Sequence, residues 1–529
     1  MKKHHLFLFI LVFIFGCRKE PIRWDIDTLV PIIQTKITLQ QALPEDLLEV
    51  TNGNELQLTY TGNLISLKLD STLSIPDTSI SDTFRLPFGS IVFPGGATFL
   101  ADSNFTRFKF NNTQLTHLFI RKGEMIIELV SSLQGPSVFE YSLPTMKKNG
   151  VAFFVKENIP AATSTSLSVL KRTYDISGYE LSLTGIQNDN FNVLANEYRA
   201  YIDSNSTPVT ITAGQYFRAT TTLAGINPSY IRGSFGSESI EQISQNEPLD
   251  LFDHVKSGML SLEAATMEFE IKNKIGMELN VVVNEITGNS LINNTSVTLI
   301  SPLSNTAINL NRASETQGIF SSPNATKHLT LLDNSNSNLN EFIGNLPQSL
   351  SYDFEINLNP VGNVSASNDF LYENTGVEIN LNAQIPLNLN ASNLVLSDTS
   401  DFAIDTTFKE ESSKIIGGYL NIYTLNWFPF SLETQFYLLD ENKIIIDSIF
   451  TDSQIVYGGT PIFGIVNDPQ SAMIQALLTP SKIAHLYQTK SIITRLTINS
   501  TSSDNIRILD TYFLEAKIVG DFEYQISIP

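Results

Sequence analysis

Gly376-Val377-Glu378-Ile379-Asn380-Leu381-Asn382-Ala383-Gln384-Ile385-Pro386-Leu387-Asn388-Leu389-Asn390-Ala391 decides the fold class. Every second residue from Val377 to Ala391 is apolar, and those between are Glu, Asn, Gln or Pro. Successive side chains of a strand point to opposite faces, so this alternation gives one face to a core and the other to water. At ~3.3 Å per residue the run would span ~50 Å, well beyond an ordinary strand. Pro386 cannot donate to a ladder, so it marks a bend or an edge.

The same period returns at Tyr352, Phe354, Ile356 and Leu358, and at Phe522, Tyr524, Ile526 and Ile528. Helical patterns are few. Thr38 to Val50 reads as a short helix interrupted at Pro44, and Asn340 to Leu346 as another, behind the polar loop Asp333 to Asn338. In residues 481–490, Ser481 stands as N-cap while Ile483, Leu486 and Tyr487 share one face. The expected fold is all-β, with several β-sandwich-like domains in series and a few short helices.

A weak repeat organises the strands. Ile126 to Gly135 followed by Val138 to Leu143, Met267 to Gly276 followed by Leu279 to Val283, and Ile422 to Pro429 followed by Leu432 to Leu438 each read as strand, turn, strand. Asn or Ser opens each turn and Gly or Pro closes it, as hairpin loops prefer. The turns lie roughly 140 and 150 residues apart, one sandwich-sized domain each. The expected division is residues 1–16 as a signal peptide, 17–115 as anchor and N-terminal β region, and β domains over 116–250, 251–400 and 401–529.

The compartment is set at the N-terminus. Lys2 and Lys3 precede an unbroken apolar run, Leu6 to Phe15, which is far shorter than the ~20 residues of a membrane-spanning helix. A short apolar stretch behind positive charge reads as a secretory signal peptide. It ends Ile14-Phe15-Gly16-Cys17, which resembles the bacterial lipobox, with Phe15 bulkier than the usual residue at its place. Cys17 is the only cysteine of the 529 residues. By that resemblance, cleavage after Gly16 leaves Cys17 acylated, and several chains together give stable anchoring in the outer-membrane lipid. The mature chain then has no thiol for disulfides, so its stability comes from buried apolar area.

Removing the two lysines of residues 1–16 takes the formal charge from −21 to −23. A surface so acidic repels polyanions, which excludes nucleic acid as a partner. His117, His254, His328 and His485 stand without metal-ligand spacing, and no cysteine pair exists to hold zinc. Nucleophile-elbow and phosphate-loop patterns are missing, and Gly233-Ser234-Phe235-Gly236-Ser237 does not match the former. No cofactor and no enzymatic activity are expected.

Trp427 sits in a predicted turn with Phe428, Pro429 and Phe430. So bulky a turn packs against a neighbouring domain or, on a sharper reading, makes Trp427, Phe428 and Phe430 a docking knob for a partner protein.

Trp24 to Ile32, Asp175-Ile176-Ser177-Gly178-Tyr179, Ile385-Pro386-Leu387, Asp398-Thr399 and the closing Ile506 to Ile528 region, taken with the lipobox, resemble a group of Bacteroidota lipoproteins with no assigned activity. The resemblance implies an outer-membrane lipoprotein and points to the cell surface rather than the periplasm. Asp27-Thr28-Leu29, Asp70-Ser71-Thr72, Asp405-Thr406-Thr407 and Asp447-Ser448-Ile449 also fit the O-glycosylation motif of that phylum. The function expected is a non-enzymatic structural or accessory subunit that binds another envelope protein, the alternative being a surface glycan- or lipid-binding lipoprotein.

Overall fold

The computed structural model describes residues 22–39, 47–68, 75–110, 112–252, 255–316, 322–402, 409–410, 413–462, 465–500 and 506–528. The chain is all-β, 64% strand and 4% helix. Its N-terminal segment supplies β1 (Ile22–Thr38), β2 (Leu56–Lys68) and β3 (Thr78–Arg85). Unit 1 follows, built on β4 (Thr98–Arg107), β5 (Gln114–Ser131), β6 (Ser137–Lys148), β7 (Ser168–Asp175), β8 (Val193–Ile202) and β9 (Tyr216–Ser234). Unit 2 repeats the series with β10 (Glu238–Pro248), β11 (Thr266–Asn273), β12 (Leu279–Ser290), β13 (Thr326–Leu332), β14 (Ser349–Leu358) and β15 (Gly376–Pro386). Unit 3 repeats it again with β16 (Asn388–Asp401), β17 (Ser413–Asn426), β18 (Ser431–Leu439), β19 (Gln470–Leu477), β20 (Ser491–Asn499) and β21 (Phe513–Ile528).

Each unit pairs these strands the same way. One sheet runs β7-β5-β9, β13-β11-β15 or β19-β17-β21. The facing sheet runs β6-β8-β4, β12-β14-β10 or β18-β20-β16, and in unit 1 the Glu180–Ser182 strand pairs with both β5 and β6 and joins the two sheets along one side. Apolar inner faces meet between them. Phe217 of β9 lies 5.4 Å from Phe99 of β4 and 6.2 Å from Phe139 of β6, and Phe269 of β11 lies 5.9 Å from Phe354 of β14.

The N-terminal segment completes the first sheet of every unit, in reverse order. β1 pairs with β21 of unit 3, β2 with β15 of unit 2, and β3 with β9 of unit 1. Residues 22–85 therefore form no domain of their own, contrary to the expected division; they sew the three units together. The boundaries expected near 115 and 250 fall after the first strand of a unit and that near 400 at the end of one, because that strand precedes the repeat that is readable in the sequence. Units 1 and 2 also meet where Asp369–Tyr372 pairs with Tyr230 to Gly233 of β9. Units 2 and 3 meet where Leu56 N donates to Ile508 O, Ile508 N to Leu387 O, and Leu387 N to Leu56 O.

Other expectations change for physical reasons. The long alternating run is two strands: β15 ends at Pro386 and β16 begins at Asn388, in a different sheet. Val377, Ile379, Leu381, Ala383 and Ile385 all lie buried in the core of unit 2, packed rather than lining a channel. None of the three repeated turns closes a hairpin. β11 and β12 belong to different sheets, as do β17 and β18, and the Glu180–Ser182 strand separates β5 from β6. Each turn is an arch across a sandwich.

A buried polar residue shapes every arch. Ser131 Oγ accepts from Leu133 N, Asn273 Oδ1 from Ile275 N, and Asn426 Oδ1 from Phe428 N. All three are fully buried. Asn273 also donates to the carbonyls of Met277 and Asn311, and Asn426 to those of Phe430, Val456 and Tyr457.

The helix expected over Thr38 to Val50 falls mostly outside the described residues: β1 runs to Thr38, Leu39 is helical, and Leu48–Val50 is a strand on Leu56 to Leu58. Helices α1 (Leu339–Gly344) and α2 (Pro480–Gln488) lead into the fifth strands of units 2 and 3. The N-cap of α2 is Thr479, whose hydroxyl accepts from Lys482 N, rather than Ser481. Pro480 fits the first helical position because its missing N–H would have no partner there.

Candidate functional site

The most elaborated surface lies on the outer face of unit 1. β4, β8, β6 and the strand Val151–Ile159 run side by side. Their register aligns Ser103, Glu197, Ser142 and Phe154 in one row, and Ala101, Arg199, Glu140 and Lys156 in the next. The period of two turns these side chains outward. All of them but Lys156 line, with Asp102, Tyr141 and Tyr198, a groove of about 390 Å³.

Glu140 organises the groove. It accepts from Arg199 Nε at 3.2 Å and Nη2 at 2.7 Å, from Tyr201 Oη at 3.0 Å, and pairs with Lys156 Nζ at 3.2 Å. Desolvation pushes its pKa up, but the bonds from Arg199, Tyr201 and Lys156 outweigh it and hold the carboxyl below the usual range. The Arg199 guanidinium rests 4.7 Å from the Tyr201 ring centre. Phe154 stands 58% exposed beside this fixed charge pair. Deeper in, Tyr198 is hydrogen-bonded to Asp82 and Asp102, and burial followed by those carboxylates raises its pKa. The arrangement places an exposed ring, fixed charges and hydroxyls together, groups capable of stacking and hydrogen bonding.

The residues singled out in the sequence fall elsewhere. Cys17 lies outside the described residues, as does His254. Phe428 and Phe430 are buried at 4% and 1% exposure, stacked 5.3 Å apart, and Trp427 packs half-buried against Phe513. The docking knob is therefore the filled interior of the unit 3 arch. A turn passing between two sheets must fill the gap with bulk, whereas a hairpin tip would have exposed it. His117 pairs with Glu180 at 3.0 Å, His328 with Thr330 at 3.0 Å, and His485 with Asp447 at 2.9 Å. Groups of three or more metal-ligating side chains are absent among the described residues. No helix among them is long and apolar enough to cross a membrane. Ser448 of the Asp447-Ser448-Ile449 motif donates to Phe450 O.

Sequence reasoning missed the groove. Glu197-Tyr198-Arg199-Ala200-Tyr201 shows its alternation plainly, but nothing local identifies Glu140, 59 residues away, as the partner of Arg199.

No family model and no curated protein matches the chain. Among solved structures, a protein described as secreted, from Parabacteroides distasonis, aligns over 96% of this chain and 100% of its own at 11% identity, with a TM-score of 0.27. A chain of the Sulfolobus turreted icosahedral virus aligns over 86% of this chain and 91% of its own, at 10% identity and a TM-score of 0.10.

Proposed function

We propose that the protein is a non-enzymatic lipoprotein of the outer membrane, tethered through acylated Cys17 at the cell surface, whose β-units hold a binding face toward another envelope protein. The observation that carries this reading is the sewn architecture. β1, which begins five residues after Cys17, is zipped along β21 from Ile22 opposite Ile528 to Thr38 opposite Phe513. Load on the tether thus enters a full-length ladder rather than a loop. β2 and β3 continue the same segment into units 2 and 1, which suits a scaffold held at one end. Unit 1, the last reached by that segment, carries the groove of Glu140, Arg199 and Phe154.

The test is gentle solubilisation followed by capture of a tagged copy. A defined outer-membrane protein should co-purify, and be lost when Phe154→Ser and Arg199→Ala are combined. Recovery as a lone monomer from wild-type cells rejects the reading. The acyl tether is checked separately: Cys17→Ser should abolish processing and release the chain from membranes.

A second reading, glycan binding by the same groove, is favoured by one observation, the exposed Phe154 ring beside the hydroxyls of Ser103 and Ser142 and the carboxylate of Glu197. Aromatic faces with flanking polar groups are how small polar ligands are oriented in concave sites. A glycan array probed with wild type and Phe154→Ser separates this reading from the first.

A further inference from the structure

We infer that the outer face of the β19-β17-β21-β1 sheet of unit 3 rests on the lipid surface to which the chain is tethered. The inference rests on the acyl-anchor reading above and adds a second, non-covalent contact to it.

Register places Leu477, Tyr419, Asp521 and Leu29 in one row across this sheet, and Met473, Tyr423, Lys517 and Gln34 in another. The exposures are large for apolar and aromatic side chains: Leu29 68%, Leu477 58%, Met473 53%, Tyr423 45% and Tyr419 43%. A groove of about 400 Å³ on this sheet is lined by Tyr423, Leu425, Ala472 and Met473 together with the polar Thr424, Ser471, Glu515 and Lys517.

The repeat supplies a comparison within the molecule. In unit 2 the two central strands of the equivalent sheet are covered by a polar lattice: Glu270 pairs with Lys272 and Lys327, Asn380 donates to Glu270, and Asn63 donates to Asn380. In unit 1 the equivalent rows of β9 and β3 are hydroxyl pairs, Thr220 with Ser81 and Thr222 with Ser79. Three copies of one architecture thus differ at one face: that of the unit that takes β1 carries exposed tyrosines and apolar side chains on either side of the polar Asn421–Gln475 pair.

The tether selects the occupant. Cys17 lies twelve residues before Leu29, a contour of at most ~40 Å, so an acyl anchor holds this sheet beside the bilayer. Tyrosines with apolar neighbours are the residues that settle at a membrane–water interface, and a contact of this kind reinforces an acyl anchor. Unit 2 exposes Leu329 and Leu331 on its edge strand, but opposite them stand Glu270 and Glu268 where unit 3 has tyrosines.

The experiment uses the full mature chain coupled through the Cys17 thiol to a maleimide-bearing phospholipid in phosphatidylcholine–phosphatidylethanolamine vesicles. Attachment is then chemical and independent of cellular processing, so failure of the acyl-anchor reading and failure of this one are distinguishable. Hydroxyl-radical footprinting should show oxidation of Met473, Tyr419, Tyr423 and Leu477 falling at least threefold relative to the same chain uncoupled. Leu329 and Leu331 on unit 2, and Phe154 on unit 1, should be unchanged. Met473→Ser with Leu477→Ser, both on an edge strand and exposed, should keep the melting temperature and lose the protection of Tyr423. Equal oxidation with and without vesicles, uniform protection of all three units, or protection that appears only when envelope proteins are added would each overturn the inference.

Discussion

Asn426 shows how much of this fold rests on single polar side chains. It is fully buried, its carbonyl oxygen holds Phe428 N, and its amide reaches the carbonyls of Phe430, Val456 and Tyr457. Removing one partner of a buried hydrogen bond strands the other at ~1–3 kcal/mol. Asn426→Ala should therefore cost about 3 kcal/mol in urea unfolding, Asn273→Ala about the same, and Ser131→Ala, with one bond, about 1 kcal/mol. Equal small losses at all three would show that the arches are held by their apolar contents instead. Acid stability has its own residues. Desolvation raises the pKa of Glu270, but hydrogen bonds from Lys272, Lys327 and Asn380 outweigh it and leave the carboxyl below its ordinary value. A carboxyl depressed in the folded state stabilises above its unfolded pKa of ~4.3 and loses that contribution as pH falls through the folded value. Glu270→Gln should flatten the loss of stability below about pH 4 and leave the pH 6–8 range level, as followed by denaturant midpoints. The sequence displayed Ser131, Asn273 and Asn426 as turn openers, because a polar residue at a strand end is a local signal. It could not display that their amides and hydroxyl face inward, since that depends on which sheet the next strand joins.

At the scale of elements, the strands were legible and their partners were not. Alternation in Val377 to Ile385 marks a half-buried strand whatever lies beside it, so the class follows from periodicity alone. Partner choice is decided by surfaces hundreds of residues apart, as where Gly376 to Pro386 meets Lys68 to Gln57. That is why three arches read as hairpins and why β1, β2 and β3 read as a region of their own. Helix α2 illustrates the same limit on a smaller scale, since Thr479 and Ser481 are both good caps and only the placement of Pro480 decides between them. Thr479→Ala should lower stability by about 1 kcal/mol while Ser481→Ala changes it by a few tenths. A reversed order in thermal melts would return the cap to Ser481.

The whole molecule is one interlocked body whose first described strand closes against its last. Because residues 22–85 contribute a strand to each unit, the units share contacts that ordinary domains in series lack. Calorimetry should therefore show one cooperative transition, with calorimetric and van't Hoff enthalpies agreeing, rather than three separable peaks. Deleting β1 should leave the ladder of β21 open and unit 3 the first to unfold, with units 1 and 2 melting later, read by protease nicking within residues 413–528. The pairing of Ile22 with Ile528 has a further meaning for biogenesis. Ile22 and Ile528 stand more than five hundred residues apart, so β1 is made long before its mate β21. A polypeptide interrupted anywhere before Phe513 leaves that early strand unmated, and should be an unsealed, protease-sensitive product. Unit 3 can therefore seal only once β21 has been made.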